Sequence, residues 1–337
     1  MNKKMIHAFL PILFTFNSCE KYGKLEWENP SIFSINKLPP KAHFVTYETE
    51  KLAQINSPLE SKNYISLNGK WKFKFSKNIK DRPMDFYEMG HSADQWQSIM
   101  VPGSWELQGW SYPIYLDEEY PFPAKPPFIP HKLNTVGSYK KKIMIPQDWL
   151  KKDVFLKLGS VRSAFYVWFN GKYVGYSQGS KTPSEFDVTE FVQAGNNQVS
   201  IQVYRYSDGS YLEGQDTWRT SGLERDVSIY ARDKIRIDDF TIKSSLSDSY
   251  SEGIFSIDID LLNRVMLNKK ISIRAKLSDP MRRNRTIFDS TKFIGTDSIS
   301  TISINHKVRR VKKWSAETPY LYRLQLYLMK DGKLIET

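Results

Sequence analysis

Apolar and polar residues alternate with a period of two along much of the chain. In KWKFKF, residues 70 to 75, Trp71, Phe73 and Phe75 fall on one face and Lys70, Lys72 and Lys74 on the other, the signature of a half-buried β-strand. The same rhythm recurs in SYKKKIMI (138–145), VSIQVYRY (199–206) and LYRLQLYL (321–328). AFYVWFNGKYVGYS (164–177) sets Asn170 and Gly171 between two aromatic runs. That pair predicts a tight hairpin, because both turn positions need positive φ. No 12-residue window has convincing helical periodicity; DQWQSI (94–99) and QDWLKK (147–152) are expected to form one or two helical turns at most. The chain reads as all-β.

The texture changes near residues 231 to 235, where an aromatic-rich part punctuated by Gly and Pro gives way to shorter runs of Ile, Leu, Ser and Lys. Residues 25–232 are read as one large sandwich and 233–337 as a smaller, immunoglobulin-like one. A length of 337 residues suits two domains. Aromatics at 14% suit both a β-core and a sugar-binding cleft, since a flat ring packs on a pleated surface and equally on the apolar face of a pyranose.

Charge narrows the partners. The net +12 is spread along the chain, and its densest runs, KVRRVKKW (307–314) and DPMRRNR (279–285), are short, so no nucleic-acid footprint is read from it. The N-terminus has Lys3 and Lys4, then an apolar stretch from Ala8 to Phe16, then Cys19, the only cysteine. This is the layout of an export signal, too short to span a bilayer. Residues 1–19 are read as a signal peptide of the lipoprotein type, with Cys19 lipidated and the protein exported to the periplasm or cell surface, held to the membrane by its lipid alone. A single cysteine excludes an internal disulfide.

The five histidines are scattered without metal-ligand spacing, and neither a phosphate-binding glycine loop nor a Gly-x-Ser-x-Gly elbow occurs. The densest cluster of candidate chemistry is SDGSYLEGQDTWRTSGLERDV (207–227), with five carboxylates and Trp218. On spacing alone, Asp216 is as well explained by pairing with Arg219 or Arg225, and Asp208 by turn chemistry in SDG. Trp105, Trp110 and Trp218 could stack on sugar or sit in the core.

WENPSIFSINKLPPKAHF (27–44), VPGSWELQGWSYPIYLDEEYPF (101–122) and the run from Leu158 through residue 227 match, in order, motifs of one family. Together they closely resemble the N-terminal part of the family 2 glycoside hydrolases of the β-galactosidase type, over roughly residues 26 to 337. The resemblance implies a jelly-roll sugar-binding domain, then an immunoglobulin-like domain, here ending one strand short. In that family a TIM barrel follows and carries both catalytic glutamates. No catalytic residue is therefore assigned to this chain, which has no Asn-Glu dipeptide of the family's acid/base type, and this stretch alone is expected to be inactive. The resemblance places galactosyl and sodium binding on Asp216. It places a second sugar contact on Asp117, where the family has asparagine; aspartate accepts hydrogen bonds but cannot donate one. It implies a magnesium site at Glu26, Asn29, the Ile32 carbonyl, Gln178 and Asp208, a hard oxygen set. The implied activity is retaining hydrolysis of terminal β-D-galactosides, in an enzyme that can be a homo-oligomer. A β-glucuronidase or β-mannosidase specificity, or a non-catalytic carbohydrate-binding lipoprotein, are the alternatives.

Overall fold

The computed structural model describes residues 25–337, apart from 118, 215, 266–267, 280–283 and 297. Cys19 and the expected leader lie outside the described residues. Within them the chain is all-β, as its periodicity predicts, and no helix is long and apolar enough to cross a membrane.

The first unit is a sandwich of a seven-stranded and a four-stranded sheet. The larger sheet runs in the order Ser34–Ile35, Lys172–Gln178, Ala164–Phe169, Gly195–Tyr204, Val136–Ile145, Gly69–Ser76, Gln97–Val101. The smaller runs Ser184–Asp187, Asp153–Leu158, Val227–Arg232, Tyr64–Ser66. Between them lies an aromatic core that includes Trp71, Phe73, Trp105, Tyr139, Phe169 and Phe186. Asn170 (φ 50°) and Gly171 (φ 80°) make the predicted hairpin turn.

KWKFKF behaves as the pattern requires, with its lysines outside and Trp71 and Phe73 buried. The central strands do not. In Gly195–Tyr204 every residue from Asn197 onward is buried, because the second face of the large sheet is covered too. A further cluster sits there, built from Trp27, Phe122, Tyr176, Tyr204 and Tyr206. The polar residues on this face are hydrogen-bonded: Gln198 Nε2 donates to the Tyr87 carbonyl (3.1 Å), and Lys140 Nζ to the carbonyl of His91 (2.8 Å). Burying a polar group is tolerable only with such partners.

The helical expectations fare unevenly. QDWLK forms a 3-10 turn over Gln147–Lys151, but DQWQSI is a turn leading into the strand Gln97–Val101, its apolar residues serving that strand. The α-helix, Glu50–Ile55, was not anticipated. It is one and a half turns long, capped by the Thr49 side chain accepting from Leu52 N at 3.2 Å, too short to show a period.

The second unit's first strand begins at Ile235, at the end of the 231–235 stretch where the texture changes. Seven strands form a three-stranded sheet (Ile235–Leu246, Glu252–Asn263, Ser298–Arg309) against a four-stranded one (Asn284–Ile294, Lys269–Ser278, Arg323–Lys330, Lys333–Glu336). Among the described residues, two facing antiparallel sheets make this unit immunoglobulin-like, as its sequence predicts. Buried ion pairs join the units: Arg236 Nη1 lies 2.6 Å from Asp153, and Arg232 Nη2 2.6 Å from Glu336.

Candidate functional site

Two loops of the first unit meet in a short ladder: Trp218 pairs with Tyr115 and Arg219 with Ile114. Buried arginines hold both loops by donating to backbone carbonyls. Arg162 reaches Trp218 O (2.9 Å) and Glu213 O (2.7 Å); Arg205 reaches Tyr112 O (3.0 Å) and Ser111 Oγ (2.6 Å); Arg219 reaches Glu119 O (3.0 Å). Burial and the nearby Arg162 lower the pKa of Arg219. Gly214 lies against the Arg219 guanidinium so closely that a Cβ there would stand 1.9 Å from Nη1, so the loop needs glycine unless the arginine moves.

The lip built this way is exposed. Asp117 and Asp216 both face solvent. The Tyr115 hydroxyl donates to Asp216 Oδ1, and its ring lies 5.4 Å from that of Trp218, which is 58% exposed. That hydrogen bond, the Asp216 charge and, more weakly, the Asp117 charge raise the Tyr115 pKa, so both sequence-assigned carboxylates lie within electrostatic reach of one phenol. Asp216 forms no ion pair with Arg219 or Arg225, whose guanidiniums bond to the carbonyls of Glu119 and Lys181. Trp105 is fully buried and Trp110 packs on the core, leaving Trp218 as the exposed indole of the three. Tyr115 was missed in the sequence; only its place opposite Trp218 in the ladder reveals it.

Asp208 and Glu26 lie on the inner side of the same region. The 3-10 turns Glu26–Glu28 and Asp208–Tyr211 are neighbours, and the charges of Asp208 and Glu26 both raise the pKa of the buried Tyr176. Asp208 is 7% exposed. Its Oδ1 accepts from Gly209 N at 2.8 Å, whereas Oδ2 is buried without a hydrogen-bond partner. Burial raises its pKa, an effect only partly offset by the Gln178 side chain. Gln178 Oε1 accepts from Tyr176 (2.6 Å) and Glu26 Oε2 from Tyr166 (2.5 Å). Asn29 Oδ1 caps a turn at Ser31 N (3.1 Å), and Ile32 N donates to Asn29 O (2.8 Å). Turn chemistry is thus present at Asn29 and Asp208, where Ser207 and Ser210 form a capping box. An orphaned, buried carboxylate oxygen beside amide and carboxylate oxygens is nonetheless what a hard cation site offers. Among the described residues no group of three or more His, Cys, Asp or Glu could hold a metal, so any such site relies on amide and carbonyl oxygens.

The β-galactosidase of Priestia megaterium is 39% identical over 332 residues, covering 94% of this chain and 31% of that protein. The β-galactosidase of Halalkalibacterium halodurans is 36% identical over 321 residues, with the same coverage. The chain therefore spans about a third of the length of these relatives. A Bacteroides uniformis β-glucuronidase shares the fold with a TM-score of 0.67 at 20% identity, over 81% of this chain and 31% of that one. A β-glycosidase from Bacteroides vulgatus does so at 0.62 and 22%, over 81% and 33%. Residues 64–233 match the sugar-binding domain of glycosyl hydrolases family 2, and 235–337 match the family 2 domain that follows it. With both domains in order and dividing where the two sandwiches divide, the chain belongs to glycosyl hydrolases family 2.

Proposed function

We propose that this chain is the sugar-binding and immunoglobulin-like part of a retaining β-galactosidase, and that its lip contributes Asp216, Tyr115, Trp218 and Asp117 to the galactosyl site. The observation that carries the reading is the Tyr115–Asp216 hydrogen bond beside an exposed Trp218. A carboxylate held by a phenol can accept from sugar hydroxyls, and an indole face covers the apolar side of the ring.

Charge favours a galactoside over a glucuronide. Within 112–120 and 216–218, every charged side chain described as exposed is a carboxylate: Asp117, Glu119 and Asp216. A uronate brought to this lip meets like charge without an exposed cation of these loops to receive it. The likeness to β-glucuronidase structures is one of fold alone.

On the same reading, magnesium is held by Asp208, Glu26, Gln178, Asn29 and the Ile32 carbonyl, and sodium by Asp216. Magnesium would supply a fixed positive charge that satisfies Asp208 Oδ2 and ties the N-terminal segment to the turn preceding the lip. The Cys19 leader fits an exported, lipid-anchored form.

The test is a panel of aryl β-galactoside, β-glucuronide and β-mannoside on a form that includes a catalytic barrel. Preferential hydrolysis of the galactoside is expected; preference for the glucuronide rules the reading out.

A further inference from the structure

A basic surface that the lip does not use lies on the second sandwich, around the run 307–314. Asp279 and His306 line a depression of about 360 Å3 together with Arg309, Arg310 and Lys312 of that run. Lys312 and Tyr322 also line a neighbouring groove of about 410 Å3, together with Lys313, Trp314, Tyr320 and Leu321. The result is a concave surface, cationic at one end and aromatic at the other.

Three features separate this surface from an ordinary solvated face. Arg309, Arg310, Lys312 and Lys313 are all exposed, and among the described residues none of them forms an ion pair. Glu252 stands opposite Arg309 in the strand ladder without bonding to it, and Glu317 is turned to its own backbone and Ser315. Second, Trp314 is 62% and Tyr320 45% exposed, large apolar rings left in water beside the cations. Third, residues 235–337 hold 19 Lys and Arg against 12 Asp and Glu, so this unit carries +7 of the chain's +12.

We propose that this concave end binds an anionic polysaccharide, one bearing sulfate or carboxylate groups, as an accessory site apart from the galactosyl lip. Arginine forks bind sulfate or carboxylate oxygens in pairs, and lysines add point charge. Trp314 and Tyr320 stack against the apolar faces of sugar rings. Charge alone would suit any polyanion; the concave placement of rings beside the cations fits the stacked pyranoses of a glycan chain, and binding to a lipid surface is the competing outcome of the test. The site would hold the protein on a charged glycan while a neutral terminal galactoside is presented to the lip.

The test uses the purified protein with Cys19→Ser throughout, so that no acyl chain enters the membrane arm. Binding to dextran sulfate, neutral dextran and anionic phospholipid vesicles is measured by fluorescence anisotropy or co-sedimentation at about 0.1 M and about 0.3 M salt. Dextran sulfate is expected to bind, neutral dextran not. Arg309→Glu/Lys312→Glu/Lys313→Glu is expected to weaken dextran sulfate binding by at least about tenfold. A charge-matched variant on the first unit, Lys70→Glu/Lys74→Glu/Lys132→Glu, should change it by less than about threefold. Trp314→Ala should weaken it severalfold at the higher salt, where stacking outlasts charge. Thermal melts of each variant confirm folding. Equal losses in the two triple variants, vesicle binding tighter than polymer binding, or no effect of Trp314→Ala would each overturn the proposal.

Discussion

The Tyr115 hydroxyl donates to Asp216, tying the tip of one loop to the tip of another that lies 101 residues away in sequence. Asp216 has a left-handed backbone (φ 49°), a conformation uncommon outside glycine and tolerated best by Asn and Asp. The bond therefore orients a carboxylate that its own backbone already aims outward. In a catalytically active form, Asp216→Ala should lower kcat/KM for an aryl galactoside by about ten- to a hundredfold, the loss of one charged hydrogen bond. Tyr115→Phe keeps the carboxylate and loses only its orientation, so a smaller drop is expected. Equal kinetics of Asp216→Ala and the unmodified enzyme would remove Asp216 from the site.

Asp208 gives a prediction whose sign depends on the cation. Burial raises its folded pKa above that of the unfolded chain. Its contribution to stability is then greatest below about pH 3.8, the ordinary aspartate value, and is lost as pH rises through the folded pKa. At neutral pH without divalent cation the charged Asp208 is a burden, and Asp208→Asn should be neutral or stabilising. Magnesium should reverse the order: at a hundred times its Kd it adds about 2.7 kcal/mol to the unmodified protein and little to the variant. Melts in chelator and in magnesium check this, and a variant that gains as much from magnesium as the unmodified protein removes Asp208 from the ligand set.

Period-two patterning made the fold class legible, the Asn-Gly pair the hairpin, and a change of composition the division near residue 233. It misjudged Gly195–Tyr204 as half-buried, because patterning sees one face at a time and a second aromatic layer covers the other. The short helix Glu50–Ile55 escaped for want of a period. Motifs drew attention to Asp117, Asp208 and Asp216, yet Tyr115 stayed invisible, since it stands out only through its cross-strand pairing with Trp218, which no spacing encodes. Arg162 and Arg205 escaped likewise: a buried arginine that holds loops through carbonyls looks in sequence like any surface cation.

Close packing around the lip's base yields a third prediction. Gly137, on the strand Val136–Ile145, lies so near Trp105 and Phe73 that a Cβ would stand 2.4 Å and 2.7 Å from their rings. Both rings are essentially fully buried and cannot swing into solvent. Gly137→Ala should therefore destabilise the first unit by about 1–3 kcal/mol through overpacking, read as a fall in the urea midpoint with an unchanged slope. The lip stands on the loop that follows Trp105, so galactoside binding should weaken in parallel.

The boundary between the two units supplies the last prediction. Asp153 is 3% exposed and accepts from Arg236 at 2.6 Å and from Arg264 at 3.1 Å; Arg236, 4% exposed, also bonds to Asp233 O at 3.2 Å. Removing the carboxylate leaves the guanidinium buried between two sandwiches with Asp238, at 3.4 Å, as its remaining counter-charge. Asp153→Ala should cost about 3–5 kcal/mol, as broken buried pairs do. Replacing both partners with apolar residues removes the stranded guanidinium and leaves Asp238 paired to Lys41 and Arg264 paired to Asp187, so Asp153→Leu/Arg236→Met should recover part of that loss, a coupling that a double-mutant cycle isolates. Because the pair joins the units, the single variant should also split urea unfolding into two steps, the second unit melting apart from the first. A single transition shifted by less than about 1 kcal/mol would mean that the strap of residues 41–47, which bonds to the second unit through Ala42 and Tyr47, holds the units together without Asp153.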